Sequence, residues 1–180
     1  MRLVACGVVI LALGGCAQGM SDIGPPITVI PNDAGAAGLD VYGPQRAENP
    51  GLPVFRGESV VQVRTYIDPP GAGNREEAKG SCEITGGSLY TASVETPRKI
   101  VVPNYGARSP DIVALCDVDG HTASASSAVF NRTKRDIQNV GASNGLLGLF
   151  VAAMVAEAVS DENDDFEYVP IAASAEIAEE

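Results

Sequence analysis

Between Glu58 and Phe130 polar and apolar residues alternate with a period of two. Val61, Val63 and Thr65 fall on one side of an extended chain, and Gln62, Arg64 and Tyr66 on the other. The same alternation returns in Cys82-Glu83-Ile84, from Leu89 to Glu95, from Lys99 to Val102, from Asp111 to Val118 and from His121 to Phe130. Ile112, Ala114 and Cys116 share one face. Asp68-Pro69-Pro70-Gly71, Gly86-Gly87, Thr96-Pro97 and Asp119-Gly120 separate these runs with turn chemistry. About six short strands joined by turns predict a mainly β fold, a small antiparallel β-sandwich over 58–138.

The pattern changes on both sides of that block. Residues 16–57 carry Gly24-Pro25-Pro26, Gly35-Ala36-Ala37-Gly38, Gly43-Pro44 and Asn49-Pro50-Gly51, which break helices and strands alike. They read as a Pro/Gly-rich tether in which only Ile27 to Ile30 is fit to pair as a strand. Residues 139–160 read as a hydrophobic Gly/Ala-rich helix. Gly148, Ala152 and Ala156 lie four apart on one face of it, a spacing that permits close backbone approach. Packing on the sandwich and burial in a membrane or oligomer interface both suit such a face. Residues 161–180 form an acidic tail. No residue after Ala156 is basic, and charge of that density reads as solvated, mostly disordered chain.

The first 15 residues are of another kind. Met1-Arg2 is a short positive opening, and Leu3 to Leu13 is an uncharged apolar run too short to span a bilayer. Leu13-Gly14-Gly15-Cys16 then resembles the lipobox of bacterial lipoproteins. That resemblance implies cleavage before Cys16, diacylglycerol on its thiol and acylation of the new amino terminus. Two or more acyl chains anchor a protein firmly, whereas one binds marginally. Ala17 in place of an Asp implies sorting to the outer membrane, with the domain facing the periplasm.

Charge narrows the range of partners. The formal net charge is −11, and loss of Arg2 with the leader makes the mature chain more negative still. Nucleic acid and anionic headgroups are therefore poor partners, and membrane attachment falls to the acyl chains on Cys16. There is no Trp, so aromatic platforms for sugars or bases are scarce.

Cys82 and Cys116 are the two thiols left once Cys6 goes with the leader and Cys16 is acylated. In an oxidising compartment an even pair in a small domain reads as a disulfide. One His and no CxxC do not make a zinc site of them.

Cys82, the stretch from Tyr90 to Thr96-Pro97, Ile100-Val101-Val102-Pro103, Ser109-Pro110, Cys116 and Gly120 together resemble a group of small bacterial envelope lipoproteins of uncharacterised function. Gly145 to Val159 and Tyr168-Val169-Pro170 resemble their hydrophobic helix and Tyr-containing tail. The resemblance implies a β-sandwich and transfers no catalytic residue.

Three motifs suggest chemistry and fall short of it. Gly141-Ala142-Ser143-Asn144-Gly145 has the G-x-S-x-G spacing, but no buried strand precedes it and the one histidine, His121, lies upstream. Ser143 or Asn144 reads instead as a helix cap. Asp161-Glu162-Asn163-Asp164-Asp165 begins like a calcium loop, yet Phe166 and Ala172 stand where the turn glycine and the bidentate glutamate belong. Asn131-Arg132-Thr133 is a glycosylation sequon, out of place in a bacterial envelope protein. The expectation is a non-enzymatic, membrane-anchored envelope lipoprotein with a structural or protein-interaction role, without cofactor or metal. The alternative is a periplasmic module binding a cell-wall saccharide or a cation.

Overall fold

A computed structural model describes residues 23–68, 75–136 and 163–176. The fold is mainly β. The six alternating runs are strands: β3 (Glu58–Asp68), β5 (Ser81–Thr85), β6 (Tyr90–Glu95), β7 (Arg98–Pro103), β8 (Ile112–Val118) and β9 (His121–Ser127). Six more strands join them: β1 (Ile27–Thr28), β2 (Ile30–Pro31), β4 (Glu76–Ala78), β10 (Val129–Asn131), β11 (Phe166–Tyr168) and β12 (Ile171–Glu176). One sheet runs β1-β7-β3-β12, with β4 also paired to β3. The other runs β2-β6-β5-β8-β9, and β10-β11 form a separate ribbon. Most pairs are antiparallel; β1 with β7 and β12 with β3 are parallel.

Period two places the core. Val61, Val63, Ile84, Tyr90, Ile100, Val102, Ile112 and Val118 are all but sealed from solvent between the sheets. Each such aliphatic or aromatic side chain contributes about 1.5–3 kcal/mol relative to exposure. Cys82 and Cys116 face the same interior, directly opposite one another on β5 and β8, and form a disulfide. It joins neighbouring strands of one sheet and does not link the two sheets. Thr65 and Thr96 are two of the buried polar residues, and both are satisfied. The Thr65 hydroxyl donates to the Ala78 carbonyl (2.6 Å) and contacts the Thr96 hydroxyl, which accepts from the Gly80 N–H (2.9 Å).

Two expectations for the flanks need correction. In the segment read as a tether, the described residues 23–57 are pinned to the sandwich at several points. Ile27–Thr28 joins one sheet and Ile30–Pro31 the other, with Val29 buried at the switch between them. Leu39 and Val41 are buried as well. The Tyr105 hydroxyl holds them by accepting from the Val41 N–H (2.9 Å) and donating to the Leu39 carbonyl (3.2 Å). Asp40 takes a bidentate contact from Arg46 in α1 (Gly43–Arg46), and Arg46 also reaches the Pro53 carbonyl. Gly and Pro shape this segment into turns, but its spaced apolar residues pin those turns to the core.

The acidic tail is likewise structured where it is described. Ile171, Ala173 and Ala175 of β12 are buried, while Ala172 and Glu176 face solvent. The strand pairs with Val63 to Asp68 of β3. Net charge summed along the tail hid an alternation of small apolar residues that fits a sheet edge. Cys16 and the helix expected at 139–160 lie outside the described residues.

Candidate functional site

Where the end of β7, the start of β3 and β11 converge, the surface opens into a cavity of about 600 Å³. Its size suits a small ligand, but its walls are more polar than those of most ligand pockets. Arg56, Glu58, Asn104, Asp164, Asp165 and Glu167 supply the polar groups, and Val60, Phe166 and Tyr168 the apolar ones.

Strand geometry places each group. Glu58 opens β3 opposite Pro103, the last residue of β7, so Asn104 follows at the same end of the sheet. The Asn104 amide nitrogen donates to Ser59 Oγ (2.9 Å) and to the Phe166 carbonyl (3.0 Å), tying the approach to β11 against β3. Arg56 Nη2 donates to the Asp164 carbonyl (2.7 Å), and its guanidinium lies over the Phe166 ring, 5.3 Å from the centroid. The Tyr168 hydroxyl donates to the Pro110 carbonyl (2.8 Å), and burial raises its pKa. Glu167 pairs with Arg132 (2.6 Å), which is the largest cause of that arginine's raised pKa.

Asp164 stands out among the acids. It is 1% exposed. Its Oδ2 accepts from the Asn131 side-chain amide, and its Oδ1 has no hydrogen-bond partner among the described residues. Leaving a buried acceptor unmatched costs about 1–3 kcal/mol, and more for a charged group. Asn131 is held in turn, because its Oδ1 accepts from the Lys134 N–H (2.9 Å) and caps the helical residues 132–136. The sequon asparagine is therefore part of this structure. Glu58 and Asp165 are exposed on the cavity surface.

The arrangement offers negative charge and acceptor oxygens. Among the described residues no group of three or more His, Cys, Asp or Glu is placed to hold a metal ion. His121 begins β9, exposed, and is not among the cavity residues. Of the five residues that began like a calcium loop, Asp161 and Glu162 lie outside the described residues, Asn163 is exposed, and Asp164 and Asp165 line the cavity. Ser143 also lies outside the described residues. Sequence reading missed Arg56, Asn104 and Asn131 as partners of the tail. The contacts of Arg56 and Asn131 with Asp164 span 108 and 33 residues, and no local signal marks them. Compared with known proteins, the chain matches no family model, no curated protein and no solved structure.

Proposed function

We propose that this protein is an envelope lipoprotein, held at the outer membrane by acyl chains on Cys16, which presents a protein-interaction face to the periplasm. The observation that supports it is the outer face of the second sheet. Strand register there aligns Ile30, Thr91, Thr85, Val113 and Ser126 in one row across five strands. The next row is Ser93, Glu83, Leu115 and Ser124, and the third Glu95, Ser81, Asp117 and Thr122. Ile30 is 68% and Leu115 54% exposed. Three acids and no base stand in these rows. Exposed apolar side chains beside charge of one sign suit a protein partner of opposite charge better than an anionic membrane. Among the described residues no helix is long and apolar enough to cross a membrane, and the reading assigns attachment to Cys16.

Two measurements test the two halves of this reading. Intact mass of membrane-extracted protein should show a species that begins at Cys16 and carries acyl chains, lost in Cys16→Ser. A soluble, unacylated wild type removes the anchor. A photo-crosslinking residue at position 115 should capture one discrete partner in intact cells, and the same residue at position 62 on the other sheet should not. Equal capture at both positions, or none at 115, removes the interaction face. The cavity favours a second reading, a ligand-binding module.

A further inference from the structure

We infer that the cavity beside β11 is a binding site for primary ammonium groups, borne either by a small diamine or by a lysine side chain of a partner. The inference rests on the ligand-binding reading and gives that ligand its chemistry. Two independent observations carry it. First, among the described residues no cationic side chain binds the carboxylates of Glu58 and Asp165 on the cavity, whereas Glu167 is paired with Arg132. Arg56, the cation of the lining, directs Nη2 to the Asp164 backbone carbonyl and its face to the Phe166 ring. Second, Asp164 is 1% exposed and its Oδ1 has no donor among the described residues. An unmatched acceptor oxygen sealed in the wall calls for a donor, which an ammonium N–H supplies, and the exposed carboxylates of Glu58 and Asp165 supply the charge that favours a cation.

The class of cation follows from the groups that line the cavity. No three carboxylates among the described residues are placed to close around a metal ion. A cavity of about 600 Å³ lined by both carboxylates and Val60 instead matches a cation carried on a flexible apolar stem. The ammonium would sit between the exposed Glu58 and Asp165 carboxylates, with Asp164 behind them. Its methylenes would lie along Val60.

Calorimetric titration of the full chain tests this with four probes: cadaverine, acetylated lysine amide, pentanediol and a muramyl saccharide. Cadaverine or the lysine amide should bind saturably, and more weakly as salt rises. The pair Glu58→Gln and Asp165→Asn should weaken that binding roughly tenfold, since each removes one nearby charge. Both positions are exposed, so an unchanged melting temperature shows that the fold is intact. Binding by the lysine amide and not by cadaverine would support a partner side chain as the source, and the reverse a free diamine. Binding of neither amine, or amine binding indifferent to the two substitutions, overturns the proposal. Binding of the saccharide or the diol in place of the amines overturns it too, while leaving the ligand-binding reading standing.

Discussion

Gly86→Ala is the sharpest single test of the packing. A Cβ on Gly86 would lie 2.0 Å from Cζ of the Tyr90 ring and 2.4 Å from both Cε atoms. Tyr90 is fully buried, and the Gly86 N–H donates to its carbonyl (3.1 Å), so neither partner is free to withdraw. Gly87, the next residue, is glycine for a different reason, a φ of 58°. Overpacking in a close-packed core costs about 1–3 kcal/mol, and expelling an aromatic ring costs about 3–5 kcal/mol. Gly86→Ala should therefore destabilise by about 2–4 kcal/mol. Urea unfolding followed by tyrosine fluorescence measures this, with the midpoint falling at unchanged m-value. The control is the same substitution in a Tyr90→Leu background, where the ring is absent. There the added methyl should cost less than about 1 kcal/mol, the difference being the coupling between the two sites. A Gly86→Ala protein within about 0.5 kcal/mol of wild type, or an equal cost in both backgrounds, would refute the contact.

Three further outcomes follow from buried groups. The Tyr90 hydroxyl is sealed and makes no hydrogen bond of normal geometry among the described residues, although it interacts with the nearby Tyr168 hydroxyl, so Tyr90→Phe should be neutral or stabilising by up to about 1 kcal/mol, read from the same urea midpoint; a loss above that would show that the contact with Tyr168 is a hydrogen bond. Burial raises the pKa of Tyr90, Tyr105 (to about 12) and Tyr168 above the ordinary phenol value. The unfolded chain thus releases protons first. Stability should hold below about pH 10 and fall above it, by no more than about 1.4 kcal/mol per pH unit for each tyrosine. Alkaline titration followed by circular dichroism should show unfolding and phenolate absorbance rising together. Replacing both Cys82 and Cys116 by Ala should cost about 3.5–4 kcal/mol on the chain-entropy argument for a separation of 34 residues, measurable by thermal unfolding; an unchanged melting temperature would reject it.

The strands legible in the sequence are those whose burial is one-sided. Ile112, Ala114, Cys116 and Val118 alternate with exposed residues, and that rhythm is visible without a structure. The pairing of Cys82 with Cys116 was legible for a separate reason, since the lipoprotein reading sets Cys6 and Cys16 aside and leaves these two thiols for a disulfide. What hid the rest is distance along the chain. β4 is three residues, two of them Glu, and its place beside Thr65 to Ile67 is set by β3. Val29 is buried only because the chain changes sheets there, a tertiary event that its Gly- and Pro-rich neighbours obscure. The cavity was illegible for the same reason. Arg56 and Asn131 reach Asp164 only once β11 has docked, and before that Asp164 is one acid among several in a charged tail.

The docking of that tail has a consequence that a disordered segment could not imitate. In β12, Ala172 and Ala173 are chemically identical neighbours, yet Ala172 is exposed and Ala173 is fully buried between the sheets. Enlarging each to Leu therefore separates the two accounts. Ala173→Leu adds three carbons to a site with no space and should cost about 1–3 kcal/mol, whereas Ala172→Leu should change stability by no more than about 0.5 kcal/mol. A solvated tail would make both substitutions silent. A register slipped by one residue would exchange them, because every side chain would change face. Thermal unfolding of the two variants, compared with wild type, decides among the three outcomes. The result bears on the site as well as the fold. Asp164 and Asp165 immediately precede β11, and two residues separate the end of β11 at Tyr168 from β12. An Ala173→Leu protein that is destabilised should therefore also bind cadaverine more weakly, although residue 173 does not line the cavity.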